Sequence, residues 1–143
     1  MAYLVCDVNG TLALDGELIS GVKTYLRELE NHLTIYLITA NTHGKQAGLS
    51  KELGYETVII QKGDEGNQKK DFVRKLGKEN VVSIGQGRND AEMLKESALG
   101  ICVLSEEGSA IQTVLSADVI VPDIKAGLKL LLNPIRLIAT LRT

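Results

Sequence analysis

Aromatic residues are scarce in this sequence of 143 residues, which contains four tyrosines, one phenylalanine and no tryptophan. A hydrophobic core must therefore be built mainly from Leu, Ile, Val and Ala. The tyrosines are dispersed along the chain, so they offer no stacking platform for single-stranded nucleic acid. A strong charge of either sign is also lacking, because the net charge is −2. This balance gives no reason to expect nucleic acid or an acidic membrane as a partner.

Long apolar runs are absent as well. No stretch approaches the roughly 20 apolar residues that cross a bilayer, and the N-terminal residues do not resemble a signal peptide. The two cysteines, Cys6 and Cys102, lie far apart in separate apolar runs. We interpret both as buried reduced thiols. We therefore expect a cytoplasmic protein without a membrane partner.

Short β-branched runs alternate with helical patterns along the whole chain. The candidate strands are residues 3–8, 34–38, 57–60, 81–84, 99–103 and 119–121. An apolar stripe at helical spacing (Val22, Tyr25, Leu26 and Leu29) predicts the first helix. Further helices are predicted at residues 46–53, 69–76, 91–97, 109–115 and 135–141, and another is predicted to begin after Asp123 as its N-cap and to run to about 132.

This alternation predicts an α/β fold, a three-layer αβα sandwich around a Rossmann-like, mostly parallel sheet. One local exception is the Asp15-Gly16 pair, which lies between residues 11–14 and 17–19 and favours a small hairpin flap after the first strand. Linkers, repeats and low-complexity tracts are not apparent in the sequence. We therefore expect residues 1–143 to form a single core domain.

Small and polar residues follow three of the predicted strands. They are the segments 7–12 (Asp-Val-Asn-Gly-Thr-Leu), 39–42 (Thr-Ala-Asn-Thr) and 85–90 (Gly-Gln-Gly-Arg-Asn-Asp). In open parallel sheets, ligands bind beyond the carboxyl ends of the strands. These segments are therefore expected to meet at one edge of the sheet and to form the functional site.

The order of these segments resembles the haloacid dehalogenase-like (HAD) superfamily. Its motifs are Asp-x-Asp-Gly-Thr, a Thr or Ser after an apolar strand, a Lys ahead of a helix, and Gly-Asp-Gly-x-Asn-Asp. Residues 98–103, 108–111 and 117–121 are similar to the run that follows the fourth motif in P-type ATPases, so the chain looks most like their phosphorylation domain, in the form called soluble P-type ATPase. Both usual insertion points for a cap domain, 10–20 and 61–69, are short, so no cap is expected.

The resemblance implies a magnesium-dependent phosphatase or phosphotransferase that acts on a small phosphorylated substrate through an aspartyl-phosphate on Asp7. Asn9, Thr39 and Lys69 complete the implied catalytic set. Lys69 is favoured over Lys70 because Phe72 and Val73 then occupy the apolar positions of the family pattern. The implied phosphate-binding residues are Gly10, Thr11, Ala40, Asn41 and Asn89. The implied Mg²⁺ ligands are Asp7, Asn9, Gln86 and Asp90.

Two departures from the family pattern predict slow turnover. Asn9 replaces the aspartate that serves as general acid and base, and an amide cannot exchange a proton at neutral pH. Gln86 replaces a metal-binding aspartate, which predicts weak Mg²⁺ affinity, with Asp90 moving closer or acting through a water. The alternative is a catalytically impaired module that binds phosphate for regulation.

The same residues also allow simpler interpretations. Asp7 can cap a turn, Asn89 and Asp90 can begin a helix, and Lys69 can be one of several solvated charges. His43 follows the second motif and can line the entrance of the site. An open site without a cap also leaves room for a homo-oligomer, in which a neighbouring subunit covers the site through the apolar residues of 126–141.

Overall fold

A computed structural model describes residues 1–40 and 45–141 of the chain. Six of its strands form one parallel sheet in the order β5-β4-β1-β6-β7-β8, and β2 and β3 form a separate hairpin. The strands are β1 (Tyr3–Asp7), β2 (Ala13–Leu14), β3 (Glu17–Leu18), β4 (Thr34–Thr39), β5 (Glu56–Ile59), β6 (Val81–Gly85), β7 (Leu99–Val103) and β8 (Val119–Val121).

Helices cover both faces of the sheet, as predicted. One face carries α1, α2, α6 and α7, and the other carries α3, α4 and α5. The helices are α1 (Val22–Leu29), α2 (Lys45–Leu53), α3 (Glu65–Leu76), α4 (Ala91–Glu96), α5 (Ile111–Ser116), α6 (Ile124–Leu132) and α7 (Pro134–Leu141). The expected three-layer α/β sandwich is confirmed.

The central strands are apolar because both of their faces are covered. Every residue of β6 and β7 is buried, and β1 lies between β4 and β6 with Cys6 opposite Leu37 and Ile84. The carboxyl ends of β1, β4 and β6 therefore lie side by side. Cys6 and Cys102 are buried, free thiols, as expected.

The hairpin flap after β1 has the predicted turn. Ala13 pairs with Leu18 in the antiparallel register, and the two turn residues, Asp15 and Gly16, have φ values of 52° and 80°. Positive φ at both central positions is the geometry that a two-residue hairpin requires.

Two predicted helix boundaries were wrong. Helix α3 begins at Glu65, four residues before Lys69, so the lysine does not precede the helix but lies inside it. Gly66 and Asn67 hid this first turn because both have low helix propensity. Helix α5 begins at Ile111, since Ser109 is used instead in the preceding loop, where its hydroxyl donates to the carbonyl of Val103.

The C-terminal helices leave apolar surface uncovered. Asp123 caps α6 as predicted, with its carboxylate accepting a hydrogen bond from the Ala126 amide at 2.8 Å. Helix α7 exposes Ile135, Ile138 and Leu141. Among residues 1–40 and 45–141, no helix has both the length and the apolar character that spanning a membrane requires.

Candidate active site

Asp7 lies at the carboxyl end of β1, in the middle of the sheet. The residue is 7% exposed, and its Oδ2 accepts a hydrogen bond of 3.0 Å from the hydroxyl of Thr11. Thr39 ends the neighbouring strand β4 and is also buried. A carboxylate and a hydroxyl therefore end adjacent strands at the edge where parallel sheets bind their ligands.

Lys69 brings a buried positive charge to this carboxylate. The residue is 1% exposed, and its Nζ donates to Oδ1 of Asp7 at 3.0 Å. The same ammonium donates to Oδ1 of Asp90 at 2.6 Å and to Oδ1 of Asn89 at 3.2 Å. Its three donors thus have three acceptors, and Lys69 is not one of the solvated charges of α3.

Asp90 is fully buried, and hydrogen bonds engage both of its oxygens. While Oδ1 accepts from Lys69, Oδ2 accepts from the amides of Gln86 and Gly87, each at 3.1 Å. The carboxylate thus points back toward the loop after β6 and makes no side-chain cap for α4. It holds the lysine and shapes the loop that begins at Gly85.

The pKa values of the buried pair move upward together. Burial, and then the negative charge of Asp90, raise the pKa of Asp7 to about 7, although Lys69 and Thr11 pull in the opposite direction. Burial lowers the pKa of Lys69, but Asp7 and Asp90 outweigh it and raise that pKa above its usual value. Lys69 therefore stays charged, and Asp7 ionises near neutral pH in the absence of a cation.

Gln86 lies over the turn that follows β1. Its Nε2 donates to the main-chain carbonyl of Asn9 at 3.2 Å. A Cβ built on Gly10, whose φ is +77°, would collide with this same Nε2. Glycine at position 10 thus serves both the left-handed backbone and the close approach of the Gln86 amide.

A cavity of about 430 Å³ opens above these groups. It brings together seven of the residues predicted from the sequence, namely Asp7, Asn9, Thr39, Ala40, Lys69, Gln86 and Asn89. A larger cavity of about 670 Å³ lies at the opposite edge of the sheet, beside the amino ends of β1 and β4. We assign the site to the first cavity because it adjoins the carboxyl ends of the strands.

Four predicted residues lie elsewhere. Gly10 and Thr11 line an adjoining pocket, and the Thr11 side chain faces Asp7 from within the protein. Asp90 lies behind Lys69 and does not line the cavity. Asn41, like His43, lies outside the described residues.

Two carboxylates that line the cavity, Glu65 and Glu107, were not predicted from the sequence. Glu65 begins α3, and its Oε2 accepts from Nδ2 of Asn89 at 2.9 Å. Glu107 belongs to the loop between β7 and α5. The sequence does carry a signal for Glu107, since its loop follows the buried strand β7 at the same sheet edge.

The residues at the site suit a divalent cation through single oxygen atoms and not through a cluster of acidic side chains. Among the described residues, no three or more His, Cys, Asp or Glu side chains are grouped so that they could hold a metal. The Asp7 carboxylate, the Asn9 carbonyl and the Gln86 amide nevertheless offer oxygens, which magnesium prefers. With so few protein ligands, water would have to complete the coordination.

Two relatives with known sequences resemble the chain, although no protein-family model matches it. An uncharacterized protein of Methanocaldococcus jannaschii is 45% identical over 84 residues, which cover 56% of this chain and 90% of that protein. A protein of Archaeoglobus fulgidus described as a copper-exporting P-type ATPase is 32% identical over 108 residues. That match covers 74% of this chain but only 13% of the transporter.

Solved structures show the same fold. The 3-deoxy-D-manno-octulosonate 8-phosphate phosphatase of Moraxella catarrhalis, in complex with magnesium and phosphate ions, superposes with a TM-score of 0.69 at 23% identity. The match covers 99% of this chain and 94% of that one. The catalytic domain of a CPx-ATPase superposes with a TM-score of 0.66 at 27% identity, over 80% of this chain and 45% of that one.

These likenesses agree with the motif order, the parallel sheet and the carboxylate at the end of its central strand. The chain belongs to the same family as the Methanocaldococcus jannaschii protein and is a haloacid dehalogenase-like, P-type ATPase-like domain.

Proposed function

We propose that the protein is a magnesium-dependent phosphatase or phosphotransferase that forms an aspartyl-phosphate on Asp7. The observation that supports this most is the contact of 3.0 Å between Oδ1 of Asp7 and the buried ammonium of Lys69, at the mouth of the sheet. The lysine fixes the carboxylate and offers positive charge where a phosphoryl group would arrive. Phosphoryl transfer depends mainly on such positioning and charge stabilisation.

In the proposed reaction, an oxygen of Asp7 attacks phosphorus, the bond between phosphorus and the leaving oxygen breaks, and the leaving alkoxide takes a proton from solvent water. Lys69 and the Thr39 hydroxyl stabilise the negative charge on the phosphoryl oxygens. Water then attacks the aspartyl-phosphate, which releases inorganic phosphate and restores the Asp7 carboxylate. Transfer to another acceptor follows the same path, with the acceptor in place of water.

Magnesium, when bound, would neutralise phosphoryl charge and orient the substrate. Asp7, the main-chain carbonyl of Asn9 and Gln86 would hold it, with the Gln86 amide turned so that its oxygen faces the ion. Asp90 would not bind the ion directly, because its oxygens already accept hydrogen bonds from Lys69 and from the amides of Gln86 and Gly87. It would instead hold these groups in position.

Turnover is proposed to be slow. Asn9 is exposed at the mouth of the cavity, where a carboxyl group would exchange protons with the leaving group and with water. Such a group contributes about 10²- to 10⁴-fold to a rate. With a leaving group that needs no proton, such as that of acetyl phosphate, only the attack of water is slowed, so the aspartyl-phosphate should then accumulate.

A small phosphomonoester is the substrate class that fits best. The cavity is open to solvent and includes Lys69 and Arg88 as positive groups. The Moraxella enzyme with the same fold acts on a sugar phosphate. A cavity without a cap domain should accept several small phosphomonoesters.

Trapping the covalent intermediate tests the proposal directly. The protein is incubated with Mg²⁺ and acetyl phosphate or an aryl phosphate, quenched in acid, digested, and mapped by mass spectrometry. We expect phosphate on the peptide that contains Asp7, and none in Asp7→Asn. Asp15→Asn is the matched control, because Asp15 is exposed in a turn of positive φ that asparagine tolerates. An adduct elsewhere, or its persistence in Asp7→Asn, would overturn the proposal.

A phosphate-binding regulatory module is the second candidate, favoured by amides at positions 9 and 86. It predicts that Mg²⁺ with beryllium fluoride raises the melting temperature by binding the native state, while no phosphoryl adduct forms. An adduct on Asp7 decides against it.

A further inference from the structure

We infer that Glu107 supplies a negative charge to the divalent cation. Position 86, a glutamine in this chain, does not supply this charge. This deepens the proposed function, because it rests on a cation binding beside Asp7. Glu107 lies outside the sequence motifs. It makes the loop between β7 and α5 part of the cation site.

Glu107 and Gln86 approach the same point. A Cβ built on Gly10 would lie 2.9 Å from Oε1 of Glu107 and would collide with Nε2 of Gln86. That same Nε2 binds the Asn9 carbonyl, one of the oxygens proposed for the cation. The Glu107 carboxylate therefore lies beside the amide that occupies the place of the missing aspartate.

The loop that carries Glu107 is fastened to the loop after β6. The amide of Ala110 donates to the carbonyl of Gln86 at 3.0 Å, and the hydroxyl of Thr113 donates to the carbonyl of Gly87 at 2.7 Å. Within the loop, the Ser109 hydroxyl bridges the Ser105 amide and the Val103 carbonyl. Glu107 is therefore presented from an anchored turn.

The other carboxylates around the cavity already have partners. Asp90 binds Lys69 and two main-chain amides, and Glu65 accepts from Asn89. The Glu107 side chain makes no hydrogen bond or ion pair with any residue in the described ranges 1–40 and 45–141, and it is exposed. It is therefore able to turn toward a cation without breaking an existing contact.

The charge balance favours this role. Glu65 and Arg88, which also line the cavity, offset each other. Asp7 and Asp90 together with Lys69 leave one net negative charge, and Glu107 raises it to two, which matches a divalent ion. Like charges repel in a partly buried cluster. A Glu107 carboxylate close to Asp7 would therefore raise the free energy of the site when no cation is bound, whereas a bound cation would offset the repulsion. Its exposed position keeps it in water until then.

The test measures Mg²⁺ binding to phosphate-free protein by isothermal titration calorimetry. We expect Glu107→Gln to weaken binding about 10- to 100-fold, as for groups that support a metal site. Glu106→Gln is the matched control, because the adjacent glutamate is exposed and lines the neighbouring pocket instead. Equal Mg²⁺ affinities of the two variants would overturn the inference. A change in substrate KM in Glu107→Gln without a change in Mg²⁺ affinity would also overturn it.

A second variant separates a charge effect from a folding defect. Gln86→Asp in the Glu107→Gln background should restore Mg²⁺ affinity to the level of the unchanged protein, because the carboxylate returns to the motif position. Failure to restore it contradicts the charge argument. If the unchanged protein binds no Mg²⁺, the inference fails, whereas mapping of the adduct on Asp7 still decides the proposed reaction separately.

Discussion

Nζ of Lys69 lies 2.6 Å from Oδ1 of Asp90, in an ion pair whose side chains are 1% and 0% exposed. A buried pair of this kind is strongly affected by the loss of either partner, because the remaining charge stays buried without compensation. Asp90 also accepts hydrogen bonds from two main-chain amides. Its main task is therefore to hold Lys69 and the loop after β6 in place.

Replacing Asp90 should destabilise the fold as well as the site. Asp90→Asn keeps the shape but removes the charge that faces Lys69, and its amide nitrogen cannot accept from either the lysine or the loop amides. We expect a loss of roughly 3–5 kcal/mol in the free energy of unfolding. Urea denaturation in EDTA measures it without interference from metal.

An exposed aspartate provides the control for Asp90→Asn. Asp71 lies on the exposed side of α3, so Asp71→Asn should change the free energy of unfolding by no more than about 0.5 kcal/mol. Equal losses in the two variants would mean that the Lys69–Asp90 pair contributes nothing beyond a general effect of charge.

Chemical labelling should distinguish the two adjacent lysines. Lys69 is buried with all three donors engaged, whereas Lys70 is only partly buried. We expect reductive methylation of the native protein to modify Lys70 and to leave Lys69 unmodified, as read by mass spectrometry of the digest. Both lysines should react equally in urea. Modification of Lys69 in the native state would contradict its burial beneath the site.

The fold was largely predictable because its signals are local. The apolar β-branched runs and the apolar stripe of α1 are patterns within single segments, and each pattern indicates which side chains of its segment are buried. The hairpin was also predictable, since Asp15-Gly16 can adopt the two positive φ values. The first turn of α3 was not, because Gly66 and Asn67 are poor helix formers that tertiary contacts override.

The site was predictable only where it follows a strand end or a known motif. Lys69 was identified by the apolar residues that follow it, but its contacts with Asp7 and Asp90 span 62 and 21 positions along the chain. Glu107 was missed because its relation to Gln86 and Gly10 arises only when two loops meet. Contacts across distant segments are not contained in any local pattern.

Asp7 should make the stability of the metal-free protein depend on pH. Its pKa is about 7 in the folded state and about 3.9 when unfolded, so the folded state holds the proton more tightly. The stability that this proton contributes is therefore full below about pH 4 and is lost as pH rises to about 7. Asp7→Asn lacks this dependence.

Urea denaturation in EDTA between pH 4.5 and 8 tests the sign. The compared quantity is the free energy of unfolding of the protein without substitution minus that of Asp7→Asn. This difference should fall as pH rises and become constant above about pH 7. Every other ionisable group is common to both proteins, so the subtraction removes its contribution. A difference that rises with pH would show that Lys69 dominates over burial at Asp7.

Two glycines should respond in opposite directions to alanine. A Cβ on Gly100, in β7, would collide with the main chain of Leu94, so Gly100→Ala should lower the free energy of unfolding by about 1–3 kcal/mol. Gly48 lies within α2 with open space around its Cβ position. Gly48→Ala should therefore stabilise by about 0.5–1 kcal/mol, as measured by urea denaturation. Similar effects at both positions would contradict the close approach of α4 to β7.

Asn9→Asp should accelerate the release of phosphate from Asp7. The side chain of residue 9 is exposed at the cavity that contains Asp7, so a carboxyl group there can reach both the leaving oxygen and the attacking water. General acid and base catalysis of this kind contributes about 10²- to 10⁴-fold, and we expect a gain in turnover within that range. Single-turnover quench measurements follow the lifetime of the adduct. The control is Asn31→Asp, an exposed position in the turn after α1, which should leave the lifetime unchanged. An unchanged lifetime in Asn9→Asp as well would mean that residue 9 does not occupy the acid/base position and that another step limits the release of phosphate.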